Sequence, residues 1–221
     1  MPYGQVLRIG HAERGDLRGG AVMSALNVLV TGASTGIGRL SAQTLAGAGH
    51  TVHASMPDTT DHNAENAAAA RRHAQDNEVD LRIADLDVTR QGPADSAMNT
   101  VITAHGRVDV VVHNVGHGAL GPAEAFTPGR LVGPFDRNLI GAHRVNRAAL
   151  PRMRHSRSGP LVCVGSTTSR VVHPVLGPYC AVKTAFETLA PAARFEVARY
   201  GIEPVTVMPG PVTEGAGALR L

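Results

Sequence analysis

Tyr179 and Lys183 stand four positions apart in GPYCAVKTAF, residues 177–186, with only small or apolar side chains between them. On a helix this spacing sets both on one face, with Cβ atoms about 5–6 Å apart, so an ammonium can stabilise a phenolate and lower the tyrosine pKa from about 10. Such a phenol could give and take a proton near neutral pH. The spacing also arises by chance on solvated helices, so the pair gains meaning from its company. Ser166, in VGSTTS, lies thirteen positions before Tyr179 and follows the apolar run LVCV; its hydroxyl could hold a carbonyl oxygen. Far upstream, TGASTGIG at 31–38 places Gly32, Gly36 and Gly38 where a strand-like run gives way to a helical one. Gly32 allows a tight turn, Gly36 lets the backbone approach a pyrophosphate, and Gly38 lets a helix pack closely on a strand. With Ser34, Thr35 and Ile37, they would turn backbone N–H groups and the positive end of a helix toward phosphates.

These groups need a scaffold, and the sequence supplies one. From residue 26 onward, short β-branched runs alternate with longer alanine-rich segments. The runs lie at 27–30, 51–55, 80–86, 107–113, 160–165 and 203–208. Strands alternating with helices predict a parallel sheet with helices on both faces, a doubly wound Rossmann-like α/β/α domain of six strands. The helix after the first strand carries Ile37, Leu40, Leu45 and Ala48 on the stripe expected to face the core, with Gly49 and His50 closing it. Residues 1–22, punctuated by glycine and without periodicity, are expected to form a flexible extension before a single domain over 23–221, with Met23 an alternative start.

The order of motifs resembles the short-chain dehydrogenase/reductase family from Met23 to about Thr213. The glycine turn, DVT at Asp87 to Thr89, HNVG at His113 to Gly116, NLIG at Asn138 to Gly141, the serine with Tyr-x-x-x-Lys, and PGPVT at Pro209 to Thr213 all follow in sequence. The resemblance implies an NAD(P)-dependent oxidoreductase that moves a hydride between a nicotinamide and a carbonyl or secondary alcohol. By the same resemblance, Tyr179 is general acid or base, Lys183 lowers its pKa and binds the nicotinamide ribose, and Ser166 orients the reacting oxygen. Asn138 matches an asparagine that holds a water in a proton relay; satisfying backbone groups within its own helix is the alternative. Asp87 and Val88 match a pair bordering the adenine, although Asp87 equally suits helix N-terminal chemistry with Thr89. Asn114 and Gly116 match the turn beside the adenosine ribose, and Pro209, Gly210, Val212 and Thr213 the loop over the nicotinamide.

Charge at the end of the second strand decides between the two nicotinamide cofactors, since a carboxylate there favours NAD and its absence NADP. Met56 and Pro57 occupy those positions, Thr35 is also uncharged, and Asp58 keeps NAD open, so NADP is expected. The eleven histidines are scattered along the chain and predict no metal. Cys180 reads as a small buried residue, His117 as a solvated or packing side chain with a place in the substrate pocket as its alternative, and the basic run 152–157 as a complement to a helix C-terminus. A net charge of +3 without charge blocks and 3% aromatic residues argue against a nucleic-acid partner. Two cysteines and no apolar run of about 18 residues predict a cytoplasmic protein. The family resemblance implies a small-molecule carbonyl or alcohol as substrate and a homodimer through the two long helices near 128–153 and 178–200. Pro134 and Pro191 are expected to interrupt or bend those helices. The resemblance also implies a seventh strand and a lid helix beyond PGPVT, and Leu221 follows soon after it. A shortened, weakly active nucleotide-binding protein is therefore the alternative function.

Overall fold

The computed structural model describes residues 24–157 and 159–210. The expected N-terminal extension, Val212 and Thr213 lie outside them. Six strands form one parallel sheet: β1 (Asn27–Val30), β2 (Thr51–Met56), β3 (Leu81–Asp85), β4 (Val110–His113), β5 (Gly159–Val164) and β6 (Ile202–Val207). Their order, β3-β2-β1-β4-β5-β6, reverses direction between β1 and β4. That reversal opens a crevice at the carboxyl ends of the strands, where ligands of doubly wound sheets bind.

Alternation along each strand divides the core into two layers. Leu29, Val111 and Leu161 face α3 (Gln91–His105), α5 (Gly141–Ser156) and the end of α6 (Gly177–Val197). Val28, Val30, Val110 and Val112 face α1 (Gly36–Gly47) and α2 (Ala64–Asp76). Buried on both sides, the central strands read as continuous apolar runs, as parallel strands must.

The helices correct the expected stripe of α1 and place the two prolines. The buried stripe of α1 is Gly38, Ala42 and Ala46, whereas Leu40 is 44% exposed and Ala48 is exposed; Ile37 and Leu45 only flank the contact. Close approach selects small residues: a Cβ on Gly38 would stand 2.2 Å from the Gly32 carbonyl oxygen. Pro191 lies inside α6, which continues to Val197 with one ladder hydrogen bond fewer. Pro134 lies inside α4 (Pro128–Phe135), which passes through a π-helical turn, Asp136–Ile140, directly into α5. Arg154 and His155 occupy the last turn of α5, beside the carbonyls they were expected to complement.

Candidate active site

The glycine turn is built as its spacing requires. Gly32 and Gly36 take φ of +66° and +57°, a region closed to most L-residues. Thr35 is extended and stands at the N-cap of α1 without a side-chain hydrogen bond, so it leaves the first-turn N–H groups of this twelve-residue helix uncapped. Asn114 fixes the turn from β4: its Nδ2 donates to the carbonyls of Thr31 and Gly32 at 3.1 and 3.0 Å. Thr31, buried and unremarked in the sequence reading, closes the joint. Its hydroxyl accepts the Asn114 N–H at 3.0 Å and donates to the Val112 carbonyl at 3.2 Å.

Across the rim, Ser166 follows β5 and caps a short 3-10 turn, Thr167–Ser169, by accepting the Thr168 N–H at 3.2 Å. The Thr168 hydroxyl donates to the same oxygen at 2.9 Å, which leaves the serine proton free for a further acceptor. Tyr179 and Lys183 lie on the first two turns of α6, with the ammonium 6.0 Å from the phenol ring centroid. Lys183 is 4% exposed and donates one hydrogen bond, to the Val164 carbonyl at 2.9 Å. Two of its three donors therefore remain for a ligand. Gly116 makes room for it, since a Cβ there would come within 3.2 Å of Nζ and 3.0 Å of Asn138 Oδ1.

The electrostatics differ from the expectation in one respect. Burial raises the Tyr179 phenol above its ordinary value, with the Ser166 hydroxyl pulling the other way and Cys180 adding to the rise. The phenol is thus not acidified by Lys183 in the chain alone: desolvation of the phenolate outweighs an ammonium that is turned toward Val164. Lys183 is itself lowered to about 8 by burial, against the opposing pull of Glu187 and Cys163. Cys163 is driven to about 12 by burial, and both cysteines are buried thiols.

Asn138, 2% exposed in the π-helical turn, spends its side chain on the backbone: Nδ2 donates to the Pro134 carbonyl at 2.8 Å and Oδ1 accepts the His117 N–H at 3.1 Å. The Pro134 bond is of the kind given as its alternative reading, and the His117 bond reaches outside its helix to the turn after β4. His117 is anchored by that N–H with its side chain partly covered, and its pKa is lowered first by this partial desolvation and then by Arg137.

The fold, the uncapped glycine turn and the Ser166, Tyr179, Lys183 cluster share one rim. The sequence matches the family described as short chain dehydrogenase over residues 26–218. The chain belongs to the short chain dehydrogenase family. A 3-ketodihydrosphingosine reductase of Bacteroides thetaiotaomicron is 30% identical over 188 residues, covering 85% of this chain and 64% of that protein. Human retinol dehydrogenase 8 is 33% identical over 196 residues, covering 87% of this chain and 61% of that protein. The chain thus spans less than two thirds of the length of these two curated relatives. Among solved structures, a gluconate 5-dehydrogenase from Burkholderia cenocepacia in complex with NADP and tartrate aligns with a TM-score of 0.76 at 28% identity, over 85% of this chain and 72% of that one.

The remaining positions marked by the short chain dehydrogenase resemblance are placed as follows. Asp87 accepts the Thr89 N–H and hydroxyl at 2.9 and 2.7 Å, the local chemistry weighed as its alternative. Val88 is buried in the core, and its carbonyl accepts from Arg144 at 3.1 Å. The Pro209 carbonyl accepts the Thr167 N–H at 3.4 Å, which sets Pro209 and Gly210 next to the Ser166 turn. Met56 is buried at the end of β2, and Asp58 follows with φ of +54°, its carboxylate accepting the His62 N–H at 3.2 Å. Asp85 on β3 pins this loop through the Asp58 and Thr59 N–H groups.

Two further features escaped the sequence reading. Glu187, one turn beyond Lys183, is a buried carboxylate whose Oε1 accepts the Ser166 N–H at 2.8 Å. A continuation of Tyr-x-x-x-Lys by another four residues was the signal for it. His53 and His105 meet at 3.0 Å from positions far apart in the chain, which no local motif could show. Among the described residues, no three His, Cys, Asp or Glu side chains gather as a metal site, and no helix is long and apolar enough to cross a membrane.

Proposed function

We propose that this chain is an NAD(P)-dependent oxidoreductase acting on a small carbonyl compound or the matching secondary alcohol, within a single domain beginning near Met23. The observation that carries it is the convergence of Ser166, Tyr179 and Lys183 on one rim with an uncapped, left-handed glycine turn. The cradle suits a dinucleotide. Gly32, Gly36 and Gly38 leave no side chain in it, Ser34, Thr35 and Ile37 supply backbone N–H groups toward the pyrophosphate, and Asn114 and Gly116 shape the wall toward the adenosine ribose. By the family resemblance, Asp87 and Val88 would border the adenine, and Pro209 and Gly210 the nicotinamide end.

The nicotinamide, when bound, supplies or accepts the hydride. In reduction, the Ser166 hydroxyl donates a hydrogen bond to the carbonyl oxygen and Tyr179 gives that oxygen its proton, so a neutral alcohol leaves. A phenol held protonated by burial supports this donor role. Lys183 offers its two remaining donors to the ribose hydroxyls and keeps a positive charge beside the phenolate as it forms. Asn138 holds the wall between Gly116 and Lys183 through its backbone bonds and borders the route by which Tyr179 regains its proton. NADP is favoured over NAD because the end of β2 presents buried Met56 and then Pro57, with the Asp58 carboxylate engaged by the His62 N–H.

The test is direct. The purified chain is incubated with NADPH or NADH and a panel of aldehydes, ketones and quinones while nicotinamide absorbance is followed. Turnover with at least one carbonyl, faster with NADPH, and its loss in Tyr179→Phe with cofactor binding retained, is the expected result. Intact cofactor binding without turnover of any carbonyl overturns the enzymatic reading in favour of a nucleotide-binding protein without redox activity.

A further inference from the structure

Tyr179, Lys183 and Glu187 follow one another at intervals of four residues in α6 and so share one stripe of the helix. The reaction above employs the first two and leaves Glu187 unexplained. Glu187 is 6% exposed, and a carboxylate in such a place is costly unless its oxygens are hydrogen-bonded. Both are. Oε1 accepts the Ser166 N–H at 2.8 Å, and Oε2 accepts the Ser169 hydroxyl at 2.5 Å, with Arg170 Nε 3.8 Å away on the solvent side. The Ser169 hydroxyl also lies 2.8 Å from the Ser166 carbonyl, so one carboxylate grips the serine turn at both ends. Gly165 completes the fit: a Cβ there would stand 2.2 Å from Glu187 Oε1.

A buried carboxylate is a poor spacer, because an apolar side chain of similar size fills the same volume without desolvating a charge. What it adds is direction, since a charge-assisted hydrogen bond is short, strong and confined to a narrow arc. We propose that Glu187 is a positioning residue for the reaction, fixing the backbone of Ser166 through its N–H so that the serine hydroxyl meets the substrate oxygen at a set place. The kinetic part of this proposal rests on the oxidoreductase reading above.

The experiment uses the full chain as wild type, Glu187→Leu, Glu187→Gln, Ser166→Ala and the Glu187→Leu, Ser166→Ala double variant. Three readouts are taken: kcat with a carbonyl that the wild type reduces, NADPH affinity, and amide hydrogen exchange across residues 165–170. Kinetics are measured below neutral pH, where Lys183 stays charged. Glu187→Leu is expected to lower kcat by about ten- to a hundredfold, the size of a lost hydrogen bond to a charged group, and to leave NADPH affinity unchanged. Glu187→Gln keeps an acceptor for the Ser166 N–H and restores most of kcat. In the Ser166→Ala background Glu187→Leu costs nothing more, because its effect runs through the serine. Exchange of the Ser166 amide quickens in Glu187→Leu and not in Glu187→Gln. An unchanged kcat in Glu187→Leu, a Glu187→Gln as slow as Glu187→Leu, or losses that multiply in the double variant overturns the proposal. Should Glu187→Leu not fold, Glu187→Asp, which keeps the charge and withdraws the oxygens, takes its place with the same expected loss. If the wild type reduces no carbonyl, the oxidoreductase reading falls, and the exchange data alone decide whether Glu187 holds Ser166: unchanged exchange in Glu187→Leu refutes it.

Discussion

Acid should loosen this fold before it protonates most of its carboxylates, and His113 isolates the cause. His113 ends β4, is buried, and has Nε2 2.7 Å from Asn146 Oδ1, so Nε2 carries the proton of a neutral ring. Its Nδ1 is buried without a partner, and burial lowers the pKa to about 4. The unfolded chain takes this proton near the ordinary histidine value of about 6.5. Between the two values the unfolded state binds more protons, so the contribution of His113 is complete above that window and is lost as pH falls through it. At about 1.36 kcal/mol per pH unit, the full loss is about 3 kcal/mol, of which about 2 kcal/mol is gone by about pH 5. His53, also lowered to about 4, first by desolvation and then by its coupling to His105, adds a smaller amount in the same direction. Asp80, held below its usual range by its hydrogen bond to Arg82, titrates below this window.

Urea unfolding from about pH 8 to about pH 5 should therefore show a loss of about 2 kcal/mol from His113 with a further loss from His53, a large share of the 5–15 kcal/mol typical of a domain. His113→Gln keeps a donor for Asn146 and removes the titration, so it should lose about 2 kcal/mol less over the same range. A wild-type stability that stays flat, or a His113→Gln slope equal to that of the wild type, refutes the assignment. In the folded chain His113 stays neutral through this window, and its protonation would reach the site through Asn114, the next residue, which clamps the glycine turn. NADPH affinity of the folded chain should therefore hold through the window and weaken only as pH approaches about 4.

Lys183, lowered to about 8 by burial, loses its ammonium above that pH, so kcat/KM should fall on the alkaline side of about 8. The groups facing it are Glu187 and Tyr179 on its own helix, Cys163 on β5, and Asn138 from the π-helical turn. Because the Glu187 charge holds the proton on, Glu187→Gln should move this alkaline limb to lower pH; an unmoved limb in a pH profile denies the coupling. Gly38→Ala would set a Cβ 2.2 Å from the Gly32 oxygen and 2.3 Å from Asn114 Nδ2. Overpacking of about 1–3 kcal/mol should appear as a drop of about 2–4 °C in Tm for each kcal/mol, together with weaker NADPH binding. A variant with the wild-type melting curve and affinity would show that α1 does not press on the turn.

The strands were legible because each is a short β-branched run bounded by turn residues, and the observed spans differ from the runs only at their ends. The stripe of α1 was not, since periodicity marks large apolar residues. The contact with β1 instead selects Gly38, Ala42 and Ala46 for being small. The Tyr-x-x-x-Lys pair was readable as a local spacing, yet the sign of the tyrosine shift was not. That sign depends on how much water the fold removes from the phenol and on where the ammonium points, both set by β5. Asp87 and Asn138 each matched a ligand-facing position by resemblance, and each side chain makes backbone hydrogen bonds as well: Asp87 accepts the Thr89 N–H, and Asn138 accepts the His117 N–H and donates to the Pro134 carbonyl. Glu187 and the His53–His105 contact went unseen because their partners lie 21 and 52 positions away and only the sheet brings them together.

The glycines facing α6 follow from the charges on it. Lys183 and Glu187 point into the carboxyl ends of β4 and β5, where the backbone must come close enough for carbonyl and N–H groups to solvate them. Gly116 and Gly165 are the residues that a side chain would bring against those charges, at 3.2 Å from Nζ and 2.2 Å from Oε1. Glycine in ordered backbone costs about 0.5–1 kcal/mol relative to alanine, less than an unsolvated buried charge would. A purely structural helix would avoid both costs with apolar residues at 183 and 187 and alanine opposite. Keeping the charges and the glycines together is reasonable only if the charged stripe acts on something at that rim, which is the same conclusion the Ser166 and Tyr179 geometry supports.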